Sequence, residues 1–243
     1  GSSYLWSNGS STTSALTVSP TVTTSYTVTS TNAAGCTSTA IATVAVVSSV
    51  YGAGNIVVER VGDGSVALSN ASAPVFLDEY SVLSSGLINT TAMPVTSDTT
   101  KRLTISGSAT SEGQLTRSSN KQYLVLSGYN ANTGIAGIAS TATTAYLRTV
   151  GTADVTRSIS RRGTTTSYSA NNIRSASSDG VNYWGAGANS GTVLITSGAG
   201  TVVQSNQTNT RVVQVFNGQL YASSATGTFG IYAIGTEIGR AHV

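Results

Sequence analysis

Charged residues are scarce in this 243-residue sequence: Asp, Glu, Lys and Arg make up only 9% of it, against about 25% in an average globular protein. Coiled coils and helical bundles need many charges at helical spacing, so the composition excludes them. The formal net charge is only +3, which argues against a charge-driven disordered chain. No apolar run approaches the roughly 20 residues of a membrane-spanning helix. We therefore expect no membrane span.

Cysteine and histidine each occur once. Cys36 has no internal disulfide partner, so it is either a small buried residue or a half-cystine whose partner lies outside this sequence. His242 belongs to the final heptapeptide 237–243, which is unlike the rest of the chain and reads like a translated sequencing adapter. We expect this tail to be non-native. Without His242, Ser-His-Asp and Cys-His nucleophile systems and histidine metal sites are excluded.

Hydroxyl residues are abundant instead, with 38 Ser and 38 Thr among 243 residues. The hydrophobic content of 39% is sufficient for a core if the architecture is β. Short segments alternate between apolar and polar residues, and this period of two is typical of strands. The sequence therefore predicts an all-β protein, and the hydroxyl-rich composition favours an extracellular location.

A shift in composition divides the chain. Residues 1–50 contain no charged residue, and the first charge is Glu59. The segment 51–54 has two glycines and reads as a short linker. We expect one domain over 1–50 and a second over 55–236, followed by the tail 237–243.

The first domain is expected to have three or four antiparallel strands. Its apolar alternation predicts a short strand over 15–19, a strand through Tyr26 and Val28, and a long strand after Cys36. Trp6 and Tyr26 are expected to face inward.

Three segments of this domain resemble immunoglobulin-like or PKD-like sandwich repeats of large secreted bacterial surface proteins. They are residues 4–9 (YLWSNG), 24–28 (TSYTV) and 34–36 (AGC). The resemblance covers about the last two-thirds of such a domain, which implies a truncated sandwich and a cut N-terminus. It also implies that Cys36 pairs with a cysteine near the missing domain start.

The second domain contains a loose repeat of strand, polar turn and strand. Copies lie at 114–129, 172–187 and 211–224, with further hairpins between them and an earlier unit over 55–93. Four short strands per unit at about 40–60 residue spacing is typical of propeller blades. We count about four blades, the last one incomplete.

Several segments of this domain resemble a β-propeller-like family found beside such sandwich repeats in secreted bacterial proteins. They are residues 60–64, 73–80, 111–113, 171–175 and 216–218. The resemblance implies an incomplete, open propeller with an exposed edge that favours association. It also implies a secreted or cell-surface location in bacteria.

Four residues are candidates for facing a ligand: Glu112, Arg174, Asp179 and Trp184. For each, a structural use is the more favoured interpretation. Glu112 suits an ion pair with Arg117 or Arg174, as Glu59 does with Arg60. Asp179 precedes the Gly of a hairpin turn. One residue of the Tyr183–Trp184 pair suits packing between blades while the other is exposed.

Catalytic and cofactor signals are weak. Asp78 and Glu79 are adjacent, so strand alternation sends them to opposite faces. Calcium and phosphate loops lack their required residues. We expect no cofactor and no metal. The few basic residues, densest at Arg148, Arg157, Arg161 and Arg162, do not favour a nucleic-acid partner.

The sequence favours a non-enzymatic adhesion fragment, in which a spacer precedes a propeller that presents loops to a protein or glycan. One alternative is a polysaccharide lyase or glycosidase with acid/base residues on the missing blades or among Asp63, Glu112, Arg174 and Asp179. The other is a purely structural spacer. Enzymes and glycan binders gather charged and aromatic side chains at one mouth of a propeller, whereas a spacer scatters them.

Overall fold

The structure is a computed structural model that describes residues 2–7, 12–46, 50–83, 86–95, 100–196, 198–227 and 229–235. The expected tail 237–243 lies outside these ranges. The all-β prediction is confirmed: the described chain consists of antiparallel sheets and one short 3-10 helix, Ile138–Ser140. Within these ranges, no helix has the length and apolarity needed to cross a membrane. The chain forms two compact units, Gly1–Ser49 and Val50–Val243.

The first unit contains one three-stranded antiparallel sheet. Its strands are β1 (Ser3–Trp6), β2 (Thr24–Thr31) and β3 (Thr37–Val44), paired in that order. The register joins Trp6 to Val28 and Tyr26 to Ala42, so these side chains share one face. Trp6 and Tyr26 are half-buried, and the Trp6 indole donates to the Thr13 carbonyl at 3.1 Å.

One expectation for this unit is wrong, and one of the two alternatives for Cys36 is removed. Residues 15–19 form no strand, although Leu16 and Val18 are half-buried. Alternating apolar residues can pack against a sheet face without pairing, and Pro20 has no N–H to offer a ladder. Cys36 is exposed, so it is not a small buried residue.

The second unit contains four consecutive sheets, here called sheets I to IV. Sheet I comprises β4 (Ile56–Val61), β6 (Val75–Tyr80) and β7 (Leu87–Ala92). Sheet II comprises β9 (Thr116–Arg117), β10 (Tyr123–Tyr129), β11 (Arg148–Asp154) and β12 (Ile159–Thr165). Sheet III comprises β13 (Ile173–Ser178), β14 (Tyr183–Gly187), β15 (Thr192–Leu194) and β16 (Thr201–Gln204). Sheet IV comprises β17 (Thr210–Phe216), β18 (Gln219–Ser224) and β19 (Gly230–Ile234). A small ribbon pairs β5 (Ser72–Ala73) with β8 (Ile105–Ser106).

Hydrophobic cores lie between successive sheets. Leu77 of sheet I packs with Leu126 of sheet II, while Val125 of sheet II joins a core with Ala176 of sheet III. The adjacent residues Val125 and Leu126 thus serve different cores, because successive side chains of a strand point to opposite faces. In the same way, β14 contributes Tyr183 to the core with sheet II and Trp184 to the core with sheet IV. The sheets therefore pack face to face in chain order.

Hydroxyl side chains join the sheets where backbones approach closely. Ser175 and Ser177 of β13 accept hydrogen bonds from the backbone N–H groups of Val213 and Val215, at 2.9 and 3.1 Å. The Thr116 hydroxyl donates to the Ala176 carbonyl at 2.6 Å. Small side chains permit this approach, and buried hydroxyls need such partners. Much of the Ser/Thr content of this unit is therefore interior structure.

Trp184 is the largest fully buried side chain, so its truncation tests the core between sheets III and IV. We expect Trp184→Ala to lower the free energy of unfolding by about 3–5 kcal/mol, because it removes an aromatic ring and leaves a cavity. Val181→Ala is the control, since Val181 is 82% exposed and its loss should stay within about 0.5 kcal/mol. Urea denaturation measures both, and equal effects would contradict this packing.

Candidate functional site

A set of buried and half-buried polar side chains, here called the polar cluster, connects sheets I, II and III. Its members are Glu59, Glu112, Tyr129, Arg148, Asn172 and Arg174. Glu59 lies in β4, Tyr129 ends β10, Arg148 begins β11 and Arg174 lies in β13. Strands from sheets I, II and III thus contribute to one cluster.

Glu112 is buried and accepts hydrogen bonds from three directions. Its Oε1 accepts from the Tyr129 hydroxyl at 2.5 Å and from the Asn172 amide at 2.6 Å, and its Oε2 accepts from the Ser106 N–H at 2.8 Å. Burial raises the pKa of Glu112, while these donors lower it. The carboxylate is thus fully engaged by the protein itself.

The two cluster arginines bind backbone carbonyls. Arg148 has no exposed surface, and its guanidinium donates to four carbonyl oxygens, those of Ala139, Thr141, Tyr146 and Asn171. It also lies 4.8 Å above the Tyr129 ring. Arg174 donates to the Thr210 carbonyl at 2.9 Å and to the Asn209 side chain, so it connects sheet III to the start of sheet IV.

Glu59 differs from the other members of the cluster. Both of its carboxylate oxygens are buried, and neither has a hydrogen-bond partner among the described residues. Burial, followed by the charge of Glu112, raises the pKa of Glu59 to about 7. Glu59 therefore holds its proton at mildly acidic pH.

The candidate ligand-facing residues occupy three separate environments. Glu112 and Arg174 both belong to the polar cluster. Asp179 fixes its turn, accepting from the N–H groups of Val181 and Asn182 at 2.8 and 2.7 Å. Trp184 is fully buried between sheets III and IV, so it does not face a ligand. Tyr183 is buried as well, which corrects the expectation that one of the two is exposed.

Adjacent carboxylates on β6 enter separate ion pairs. Asp78 accepts from the Arg60 guanidinium at 2.5 Å, and this hydrogen bond lowers the pKa of Asp78. Glu79 pairs instead with Arg157 and accepts from the Asn55 amide at 2.7 Å. The two groups do not act on a common substrate position.

A cleft of about 450 Å³ lies between β12 of sheet II and the segments 181–183 and 194–196 of sheet III, and we call it the basic cleft. Arg161, Arg162, Asn182 and Tyr183 are among its lining residues. The Arg162 guanidinium lies 4.5 Å above the Tyr123 ring and 5.8 Å from the Tyr183 ring, and its Nε donates to the Thr152 hydroxyl at 2.8 Å. Stacking and this hydrogen bond hold the cation in place.

A second cleft of about 410 Å³ lies between the segment 51–55 and sheet II, with Arg117, Lys121 and Tyr123 in its lining. Arg117 and Lys121 are exposed. Asp154, the acidic residue that lines it, accepts hydrogen bonds from Thr156 and Ser158. The two clefts therefore present cations and aromatic rings together.

The density of arginines at 148–162 is visible in the sequence, but the basic cleft is not. Arg161 and Arg162 share a strand with a β-bulge opposite Val150 and Gly151, and a bulge re-aims side chains. The bulge leaves no local sequence signal. The sequence indicates only separate ion pairs for Glu59 and Glu112, and no spacing predicts that they lie in one cluster.

Comparison with protein-family models, curated proteins and solved structures finds no match to this chain. Within the described ranges, no three His, Cys, Asp or Glu side chains form a group that could hold a metal ion. The site must therefore be interpreted from its own geometry.

Glu59 should make stability depend on pH in a defined direction. The pKa of Glu59 is about 7 in the folded state, whereas the ordinary pKa of a glutamate is 4.5, so stability falls as pH rises through this window. At about 1.4 kcal/mol per pKa unit, the loss amounts to about 3 kcal/mol.

The Glu59→Gln variant should lack this loss. Urea denaturation at about pH 5 and about pH 8 measures the difference between variant and wild type at each pH. Other titrating groups, such as Asp78, are common to both proteins, so their contributions to the difference in the free energy of unfolding cancel. A difference that is the same at both pH values would contradict a proton on Glu59.

Proposed function

We propose that this chain is a non-enzymatic module of a secreted or cell-surface bacterial protein, and that its second unit binds an acidic glycan at the basic cleft. In this proposal the first unit is an immunoglobulin-like spacer and the second is an open β-propeller of about four blades. The observation that carries the binding function is the Arg162 guanidinium, which stacks on the Tyr123 ring and lines an open cleft.

The stacking of sheets I to IV supports the propeller interpretation. Propeller blades are antiparallel sheets that pack face to face around an axis. In this chain, three successive cores join the four sheets in order. The first strands of neighbouring sheets also approach one another, since Gln114 forms a parallel bridge with Ser175.

Acidic sugars match the chemistry of the cleft. An arginine guanidinium binds a carboxylate through two parallel hydrogen bonds, and Arg161 and Arg162 both line the cleft. Asn182, whose amide also donates to Asp179 at 3.0 Å, adds a polar group to the lining. Because Arg162 is already stacked, less side-chain entropy is lost when a ligand binds.

The polar cluster supports a non-enzymatic function. A general acid or base must come within hydrogen-bond reach of the substrate, and glycoside hydrolysis needs two carboxyl groups on either side of the bond that breaks. Glu112 is buried and engaged by three donors. Neither Glu59 nor Glu112 lines the basic cleft or the cleft beside it.

Calorimetric titration with an oligogalacturonate tests the proposal. We expect saturable binding that weakens with added salt, because surface charges are screened. The double variant Arg161→Ala/Arg162→Ala should bind at least about tenfold more weakly, a difference of about 1.4 kcal/mol. Neutral dextran should bind neither protein.

Arg102→Ala is the matched control, since Arg102 is half-buried and binds Asn132 outside the cleft. It should bind the oligogalacturonate like the wild type. Failure of the wild type to bind acidic glycans would contradict the proposed function. Binding that the double variant retains in full would refute the basic cleft as its location.

A further inference from the structure

The outer face of sheet IV, which points away from sheet III, is apolar and uncovered. A shallow groove of about 540 Å³ lies on it, and Val212, Phe216, Tyr221 and Ile231 are among its lining residues. Phe216 is 64% exposed and Ile231 is 77% exposed. Monomeric proteins rarely leave contiguous apolar surfaces of this kind without a partner.

The corresponding face of sheet III is covered, as an internal repeat shows. Residues 172–176 (NIRSA) correspond to residues 209–213 (NTRVV). The Asn and Arg are shared, and Ala176 matches Val213. Ala176 and Val213 each point into the core with the preceding sheet.

By this correspondence, Ser175 and Ser177 of sheet III match Val212 and Gln214 of sheet IV. Sheet IV covers both serines, and their hydroxyls accept N–H groups of β17. The outer face of sheet IV thus continues a stacking surface that is used within the chain.

The opposite end of the stack is uncovered as well. On sheet I, Val57 and Leu77 belong to the core with sheet II, so alternation turns Ile56 and Val58 to the outer face. Ile56 is 56% exposed and Val58 is 46% exposed. The register places Tyr80 opposite Ile56 on this face.

No charged residue is among the described residues that line the groove on sheet IV, and the Arg60–Asp78 pair on sheet I is neutral. The groove on sheet IV is lined by apolar residues together with Gln214 and Ser223. On sheet I, the Arg60 guanidinium is paired with Asp78 and lies 4.4 Å above the Phe76 ring. A highly charged partner finds no complement on these surfaces, whereas two apolar sheet faces fit one another.

We propose that a second copy of this chain covers the groove: the outer face of sheet IV packs on the outer face of sheet I of the next copy. The contact continues the face-to-face stacking that already joins sheets I to IV. Since two different faces meet, the interface is heterologous and extends head to tail. This inference goes beyond glycan binding and does not depend on it.

Sedimentation velocity with the full chain tests the proposal through two face variants. Ile231→Lys places a charge on the outer face of sheet IV, and Val58→Lys places one on the outer face of sheet I. Both positions are exposed, so both variants should fold. The wild type should grow in mass with concentration, while each variant alone should remain at 24.5 kDa.

Mixing the two variants is the decisive step. Ile231→Lys keeps an intact sheet I face and Val58→Lys keeps an intact sheet IV face, so the mixture should form dimers and stop there. Val181→Lys, at an exposed turn, is the control and should associate like the wild type. A monomeric wild type, unaffected variants, or a mixture that stays monomeric would each overturn the proposal.

Discussion

The burial of Arg148 is the interaction on which the second unit depends. A buried guanidinium costs several kcal/mol unless hydrogen bonds satisfy it, and here four carbonyl oxygens do so. Three of them belong to the loop between β10 and β11, while the fourth, that of Asn171, precedes β13. The loop and the start of sheet III therefore have to be in place together, and the neighbouring Asn172 extends the connection to Glu112.

Few charges remain for the surface in so charge-poor a chain. Glu112 and Arg174 are used inside, Asp78 and Glu79 are used in ion pairs, and Asp179 fixes a turn. In the proposed function, the cations of the basic cleft are the charges that meet the ligand. An edge strand such as β12 also gains from its arginines, because charge deters unwanted pairing with another edge.

Local sequence patterns predict the positions of many strands, whereas they do not predict the polar cluster or the two clefts. The repeat of strand, polar turn and strand at 114–129, 172–187 and 211–224 predicted hairpins that the structure contains. Alternation also suggested one exposed residue in the Tyr183–Trp184 pair. That inference failed because β14 is covered on both faces, a property of the stack that a single strand does not encode. Glu59 and Glu112 meet only through the stacking of sheets.

The most direct test of this account is the free energy of unfolding of Arg148→Met, measured by urea denaturation at neutral pH. Methionine fills part of the space but leaves four carbonyl oxygens without their donor. If the buried cluster holds the sheets together, stability should fall by about 3 kcal/mol or more. A loss within about 0.5 kcal/mol would contradict the claim, because it would mean that the sheets stack without this arginine.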